Sequence, residues 1–244
     1  MANPHPTKAL ALVTGATSGI GRAIALALAR DGYPVLALGR NATALADLAR
    51  AAPSIEPLAL DLADGAATIA ALSGREIGIL VNNAGMMPRP GPFDAMDPAE
   101  ITRTVEVNLT AVMRLTHLLL PGMRARKAGH LFFTGSTAGH APGANFAVYS
   151  ATKAAISALA AALRAELSPD CIRVTELVPG RVETALYAGA LPDAARQALY
   201  ADATALQPDD IAQAVLAVLH LPERAAVTRL DILPTRPVPP MTLK

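Results

Sequence analysis

The segment Thr14-Gly15-Ala16-Thr17-Ser18-Gly19-Ile20-Gly21 narrows the folds open to this chain more than any other, because it joins an apolar run to an Ala/Leu-rich amphipathic segment. Strand, glycine-rich turn and helix in that order open a βαβ unit. Gly15 permits the sharp turn, Gly19 lets the backbone approach a pyrophosphate, and Gly21 lets the helix pack close on the strand. A helix starting there points free N–H groups at an anion, so the expected ligand is a dinucleotide, with Thr17, Ser18 and Ile20 in the same loop. A tight structural connection is the plain alternative.

The same rhythm continues along the chain. Short apolar runs at Ala9–Val13, Val35–Gly39, Ile55–Leu60, Gly78–Asn82, Gly129–Thr134, Arg173–Val178 and Arg229–Leu233 predict strands. Amphipathic segments at about 19–31, 42–51, 64–73, 98–124, 148–168 and 208–220 predict helices, with another near 192–202. The expected fold class is α/β: a doubly wound, seven-stranded parallel sheet flanked by helices on both faces. One domain is expected over 9–234, between a flexible N-terminal tail (1–8) and a Pro-rich C-terminal tail (235–244) that holds Pro237, Pro239 and Pro240.

Charge and composition exclude several partners. With 21 Lys+Arg against 20 Asp+Glu, the formal net charge of +1 offers no basic field for nucleic acid, and small metabolites fit better. No apolar run reaches the roughly 20 residues that cross a bilayer, and the first eight residues do not read as a signal peptide, so no membrane partner is expected. Cys171 is the only cysteine, which leaves no intramolecular disulfide and no cysteine-rich metal site. It is expected to be a buried packing residue in a protein of the reduced cytoplasm. The histidines His5, His117, His130 and His220 are too scattered for a metal site, so none is expected.

Two further positions point to chemistry. The second predicted strand ends in Leu38-Gly39-Arg40-Asn41, with no carboxylate for a ribose 2′-hydroxyl, and the planar Arg40 guanidinium suits a 2′-phosphate. NADP(H) is therefore favoured over NAD(H), although a solvated helix-start cation also explains Arg40. In Tyr149-Ser150-Ala151-Thr152-Lys153 a helix brings Tyr149 and Lys153 to one face, where the ammonium favours the phenolate. A solvated surface pair is the bland reading.

Taken together the motifs make the chain resemble the short-chain dehydrogenase/reductase family, over nearly its whole length. The family's Thr-Gly-x-x-x-Gly-x-Gly stands at Thr14–Gly21, its Asn-Asn-Ala-Gly at Asn82–Gly85 and its Tyr-x-x-x-Lys at Tyr149–Lys153. Its serine falls at Ser136, thirteen positions before Tyr149, and its helix asparagine at Asn108. The resemblance implies a Rossmann fold and a catalytic set of Ser136, Tyr149, Lys153 and Asn108. In that set Tyr149 is the general acid/base, Lys153 tunes it and binds the nicotinamide ribose, Ser136 holds the substrate oxygen, and Asn108 holds a water of a proton relay. Left to themselves, Ser136 suits a helix or turn cap and Asn108 a buried amide.

The resemblance also implies cofactor contacts from Asn82, Ala84 and Gly85 on the adenosine-ribose side and from Asp61 with Leu62 at the adenine, Asp61 being alternatively a helix N-cap. Pro179, Gly180, Val182 and Thr184 would lie by the nicotinamide or pyrophosphate, and Tyr149 and Lys153 complete the set. Substrate contacts are expected from loops: Met86, Met87, His140, Asn145, Phe146, Leu186 and Tyr187. The ending Asp231-Ile232-Leu233-Pro234-Thr235-Arg236-Pro237 lacks the glycine-rich finish of many β-ketoacyl-carrier-protein reductases and resembles the branch acting on 3-hydroxy acids and small carbonyls. A carrier-protein reductase, docking through Arg124, Arg126 and Lys127, and a non-catalytic NADP-binding sensor or scaffold remain the alternatives to a carbonyl reductase. The family commonly forms dimers and tetramers, so a homo-oligomer, in the fullest case a homotetramer, is expected.

Overall fold

The strands form where aliphatic residues crowd together, and both faces of those strands are covered. In the computed structural model, which describes residues 8–188, 190–200 and 205–236, the strands are β1 (Leu10–Thr14), β2 (Val35–Gly39), β3 (Ile55–Ala59), β4 (Ile77–Asn82), β5 (Gly129–Thr134), β6 (Ile172–Pro179) and β7 (Arg229–Ile232). They pair in parallel in the order β3-β2-β1-β4-β5-β6-β7. The order reverses between β1 and β4, which leaves a crevice at their carboxyl ends.

Alternation along each strand splits the core in two. Ala11 and Val13 of β1 and Phe132 of β5 face α1 (Gly19–Arg30), α2 (Ala42–Ala51) and α9 (Pro208–Leu219), meeting Ile24, Leu28, Leu45, Ile211 and Val215. Leu12 and Phe133 face the other way, onto Leu72 of α3 (Gly65–Leu72), Leu115 of α5 (Ala111–Arg126) and Ile156 of α7 (Ala147–Leu167). Phe132 and Phe133 are both fully buried. Truncating either to Ala would cost about 3–5 kcal/mol. The edge strands are different in kind. β3 carries Pro57 and β7 carries exposed Arg229 and Asp231, choices that discourage further strand pairing.

Local signals explain the helix ends. Asp64 caps α3 by accepting from Ala67 N at 3.0 Å, and Asp97 does the same for Ala99 N, at 2.9 Å, ahead of Pro98. Gln207 and Asp210 form a reciprocal cap on α9. The single helix expected over 98–124 is divided: α4 (Pro98–Val105) runs into a π turn (Glu106–Thr110) before α5 begins. A four-residue α6 (Thr137–His140), which the sequence did not signal, precedes α7, and the helix near 192–202 is α8 (Asp193–Leu199), positions 201 and 202 lying outside the described residues. Cys171 is exposed, not buried, because it occupies the left-handed turn (φ 57°) that leads into β6.

Most of each expected tail, 1–7 and 237–244, lies outside the described residues. Lys8, at the edge of the first, pairs with Asp31 and lies 4.3 Å from the Tyr33 ring centre. Among the described residues no helix is long and apolar enough to cross a membrane.

Candidate active site

The glycine turn builds one wall of a cleft of about 450 Å³ at the sheet's carboxyl edge. Gly15 and Gly19 have φ of +67° and +51°, a region that side chains disfavour. A Cβ at Gly21 would lie 2.3 Å from Gly15 O, and one at Gly39 would lie 2.5 Å from Thr17 Cγ2. Ser18 makes no side-chain cap on α1, so the helix's first N–H groups keep their capacity for an anion. These features fit a pyrophosphate. Arg40, exposed on the cleft wall, makes no hydrogen bond or ion pair among the described residues, while Asn41 beside it caps α2. Asp61 and Leu62 line the same end. Asp61 accepts from Ala63 N at 3.0 Å and lies 3.6 Å from Arg103; the cap of α3 is Asp64.

The asparagine pair divides its labour differently from the sequence expectation. Asn82 does not line the cleft: successive residues of β4 face opposite ways, and its side chain donates to Thr116 of α5 at 3.2 Å. Asn83 lines the cleft instead, with Ala84 and Gly85. It donates to Thr14 O at 3.1 Å, and Thr14 Oγ1 accepts from the Asn83 and Ala84 amides, both at 3.0 Å. Thr14, Asn83 and the Ala84 amide thus tie the ends of β1 and β4 together. Gly21 packs behind the cleft rather than on its surface. Pro179, Gly180, Val182 and Thr184 line the opposite wall, where Thr184 sits 3.0 Å from the position of a Gly19 Cβ.

Ser136, Tyr149 and Lys153 meet at the deep end. Tyr149 and Lys153 come from successive turns of α7, and Ser136 from the cap of α6, where its Oγ accepts from Ala138 N at 3.1 Å; capping and facing the cleft coexist. Lys153 Nζ donates to Thr134 O at 2.7 Å and lies 5.7 Å from the Tyr149 ring centre. Burial lowers the Lys153 pKa to about 8, with Glu176 opposing the shift. Burial also pushes the Tyr149 phenol well above its usual range, Tyr187 adds to this, and the Ser136 hydroxyl works against it. Asn108 stands one layer back, in the π turn. Its Oδ1 accepts from Met86 N at 2.8 Å and its Nδ2 donates to Met86 O at 2.9 Å, so it fixes the loop that carries Gly85 and Met86.

A second cavity opens beside the first and shares Ser136, Tyr149, Met87 and Tyr187 with it. Phe146 lines it, and so do Arg181 and Arg236, neither of which the sequence reading had placed at the site. Met86 and Leu186 belong to the first cleft. Two expected substrate contacts fall outside both cavities. Asn145, at φ 68°, supports the loop by accepting from Gly91 N, and His140 is turned onto Glu176, 3.1 Å away. The basic cluster is largely consumed internally: Arg124 pairs with Glu166 and Asp170, and Arg126 donates to Ile77 O. No group of metal-ligating side chains occurs among the described residues.

The short chain dehydrogenase family model matches residues 9–195. The chain belongs to that family. A short-chain type dehydrogenase/reductase of Sinorhizobium fredii is 46% identical over 227 residues, 93% of this chain and 91% of its own length. The NADP-dependent 3-hydroxy acid dehydrogenase of Salmonella typhi is 33% identical, covering 92% of this chain and 94% of its own. Among solved structures, the closed form of serine dehydrogenase complexed with NADP+ superposes with a TM-score of 0.90 at 31% identity, over 96% of this chain and 99% of that one.

For a short-chain dehydrogenase, the residues missed in sequence are those whose neighbours come from far along the chain. Asn83 directly follows Asn82 at the end of β4, and its side chain faces the other way. Arg181 directly follows the recognised Pro179-Gly180, which was the one available signal for it. Arg236 belongs to the segment expected to be a tail, yet lines the second cavity.

Proposed function

We propose that this short-chain dehydrogenase is an NADP(H)-dependent oxidoreductase acting on a small carbonyl or alcohol that carries an acidic group, with Tyr149 as general acid/base. The observation that carries the reading is the position of Ser136 and Tyr149 on the boundary between the dinucleotide cleft and the second cavity. A bound nicotinamide supplies or accepts the hydride. In reduction the Tyr149 hydroxyl gives its proton to the substrate oxygen, and in oxidation it takes one back. Ser136 Oγ donates to that oxygen as charge develops, and Lys153 offsets the effect of burial on the phenol.

Arg40, open to the cleft end, is the grip for a 2′-phosphate, in keeping with the NADP-dependent relative. Arg181 and Arg236 line the second cavity, and a guanidinium can meet a carboxylate such as that of a 3-hydroxy acid. The internal pairing of Arg124 and Arg126 argues against docking an acidic carrier protein. A cytoplasmic site and homo-oligomerisation, with exposed Met113 of α5 in the contact, belong to the same proposal. Light scattering reads the assembly.

The deciding experiment is NADPH and NADH consumption across ketoacid, aldehyde, ketoester and cyclic ketone panels. Ketoacids are expected to turn over best with NADPH. Cofactor binding with no turnover on any panel, and no change on Tyr149→Phe, would instead fit a binding protein.

A further inference from the structure

Glu176, on β6, is a buried carboxylate for which the proposed reaction has no use so far. Charge at such a place needs hydrogen bonds and an opposite charge. His140 Nε2 lies 3.1 Å away and the Ser157 hydroxyl donates to the same oxygen. Arg229 is the register partner of Glu176 on β7; its own guanidinium is held by Asp231, and its Nη1 is 3.3 Å from His140 Nδ1. Arg229 therefore donates to Nδ1, which leaves the Nε2 proton of a neutral imidazole for Glu176.

Lys153 makes no ion pair with Glu176, but shared packing places the two charges near one another. A Cβ at Gly135 would lie 2.6 Å from Glu176 Oε1, so the carboxylate occupies the space that this glycine leaves. Lys153 Nζ is anchored on the carbonyl of the preceding residue, Thr134. One turn further along α7, Ser157 Oγ is within hydrogen-bond distance of both the Lys153 carbonyl, at 3.2 Å, and Glu176. Gly139 lets α6 close on α7: a Cβ there would lie 2.8 Å from the Lys153 carbonyl carbon. That approach carries His140 to Glu176.

We propose that Glu176, held by His140 and Ser157, is the counter-charge of Lys153, a positioning residue that keeps the lysine cationic and drawn against Thr134 where it serves Tyr149. This rests on the reading of Lys153 as part of the catalytic set. The groups facing Lys153 are Tyr149 on its own helix, Asn108 from the π turn, the Thr134 carbonyl and Glu176 from β6. Of these Glu176 alone brings a full negative charge, and it raises the lysine's proton affinity against the lowering effect of burial.

The test is Glu176→Gln. Removing a buried negative charge makes proton loss easier from Lys153 and from Tyr149, so both titrations move to lower pH. Carbon-13 NMR of lysine side chains, with the Lys153 signal assigned by Lys153→Met, reads the first without any need for turnover. A fall in its midpoint of about one pH unit is expected, with the kcat/KM profile for carbonyl reduction moving the same way and Glu176→Asp restoring both. An unmoved Lys153 midpoint overturns the proposal, whatever happens to the rate. A shifted midpoint in a protein that reduces no carbonyl upholds the counter-charge and removes the enzymatic reading instead. If Glu176→Gln does not fold, Glu176→Ser, with space for water, is measured in the same way.

Discussion

Tyr149 carries a conflict within one side chain. It is buried beside Met87, Phe146 and Tyr187, an apolar setting that suits the proposed substrate, and the same burial raises the phenol's pKa. The Ser136 hydroxyl works against that rise; the proposed mechanism asks the Lys153 ammonium to help, but burial brings the lysine's own pKa to about 8, so that help is lost as pH rises through this value. Tyr149→Phe keeps the packing and removes only the proton. It is expected to lower kcat by about 10²–10⁴-fold with NADPH binding retained, read by stopped turnover and fluorescence titration of the cofactor. Arg40 tests the other end of the cleft. A charge-assisted bond to phosphate is worth about 1.5–3 kcal/mol, so Arg40→Ala should raise the KM for NADPH by roughly 10–100-fold and leave that for NADH near its starting value. An equal change for both cofactors would assign Arg40 a structural part only.

The elements explain what could be read in the sequence and what could not. Strands were legible because both sheet faces are covered, which writes them as nearly unbroken aliphatic runs such as Leu36-Ala37-Leu38, fully or almost fully buried. The glycine turn was legible for a steric reason, and that reason supports a prediction. Gly21→Ala places a methyl 2.3 Å from a main-chain oxygen that no side-chain rotation can move. About 1–3 kcal/mol of stability and most of the NADPH affinity should be lost, by denaturant titration and cofactor titration respectively. Wild-type cofactor affinity in this variant would count against the cradle. The π turn at Glu106–Thr110 was hidden, because one extra residue in a turn barely disturbs a helical apolar pattern, yet it is where Asn108 reaches back to Met86. The exchange of Asn82 for Asn83 was hidden by the strand's period of two: the sequence shows both residues, and only the strand's rotation decides which one faces the cleft. His140 was misplaced because its partners, Glu176 and Arg229, are joined to it through sheet order rather than through sequence.

At the scale of the whole molecule, the most telling titration belongs to a group with no part in the proposed chemistry. His130 lies in β5, near the middle of the sheet, paired with Ile79 of β4 and Arg173 of β6. Its ring stacks on Phe132 at 4.0 Å, and its Nε2 lies 2.8 Å from Thr175 Oγ1, whose proton goes to Val227 O. The imidazole is therefore neutral with the proton on Nε2, and its buried Nδ1 has no partner among the described residues. Protonating Nδ1 would bury a cation near Arg173, and burial together with that charge lowers the pKa from 6.5 to about 3. A histidine pKa depressed by folding means that the unfolded chain binds a proton the native sheet refuses. The stability tied to His130 is thus fully present above pH 6.5 and is lost as pH falls from there towards 3. β5 is an inner, largely buried strand, so the loss is expected in global unfolding. Between neutrality and about pH 5 it amounts to about 2 kcal/mol, one and a half pH units at about 1.36 kcal/mol each. His130→Phe keeps the stack and removes the titration, so denaturant unfolding at the two pH values should show the native protein losing about 2 kcal/mol more than the variant. Equal losses in the two proteins would mean that the imidazole is protonated inside the folded sheet.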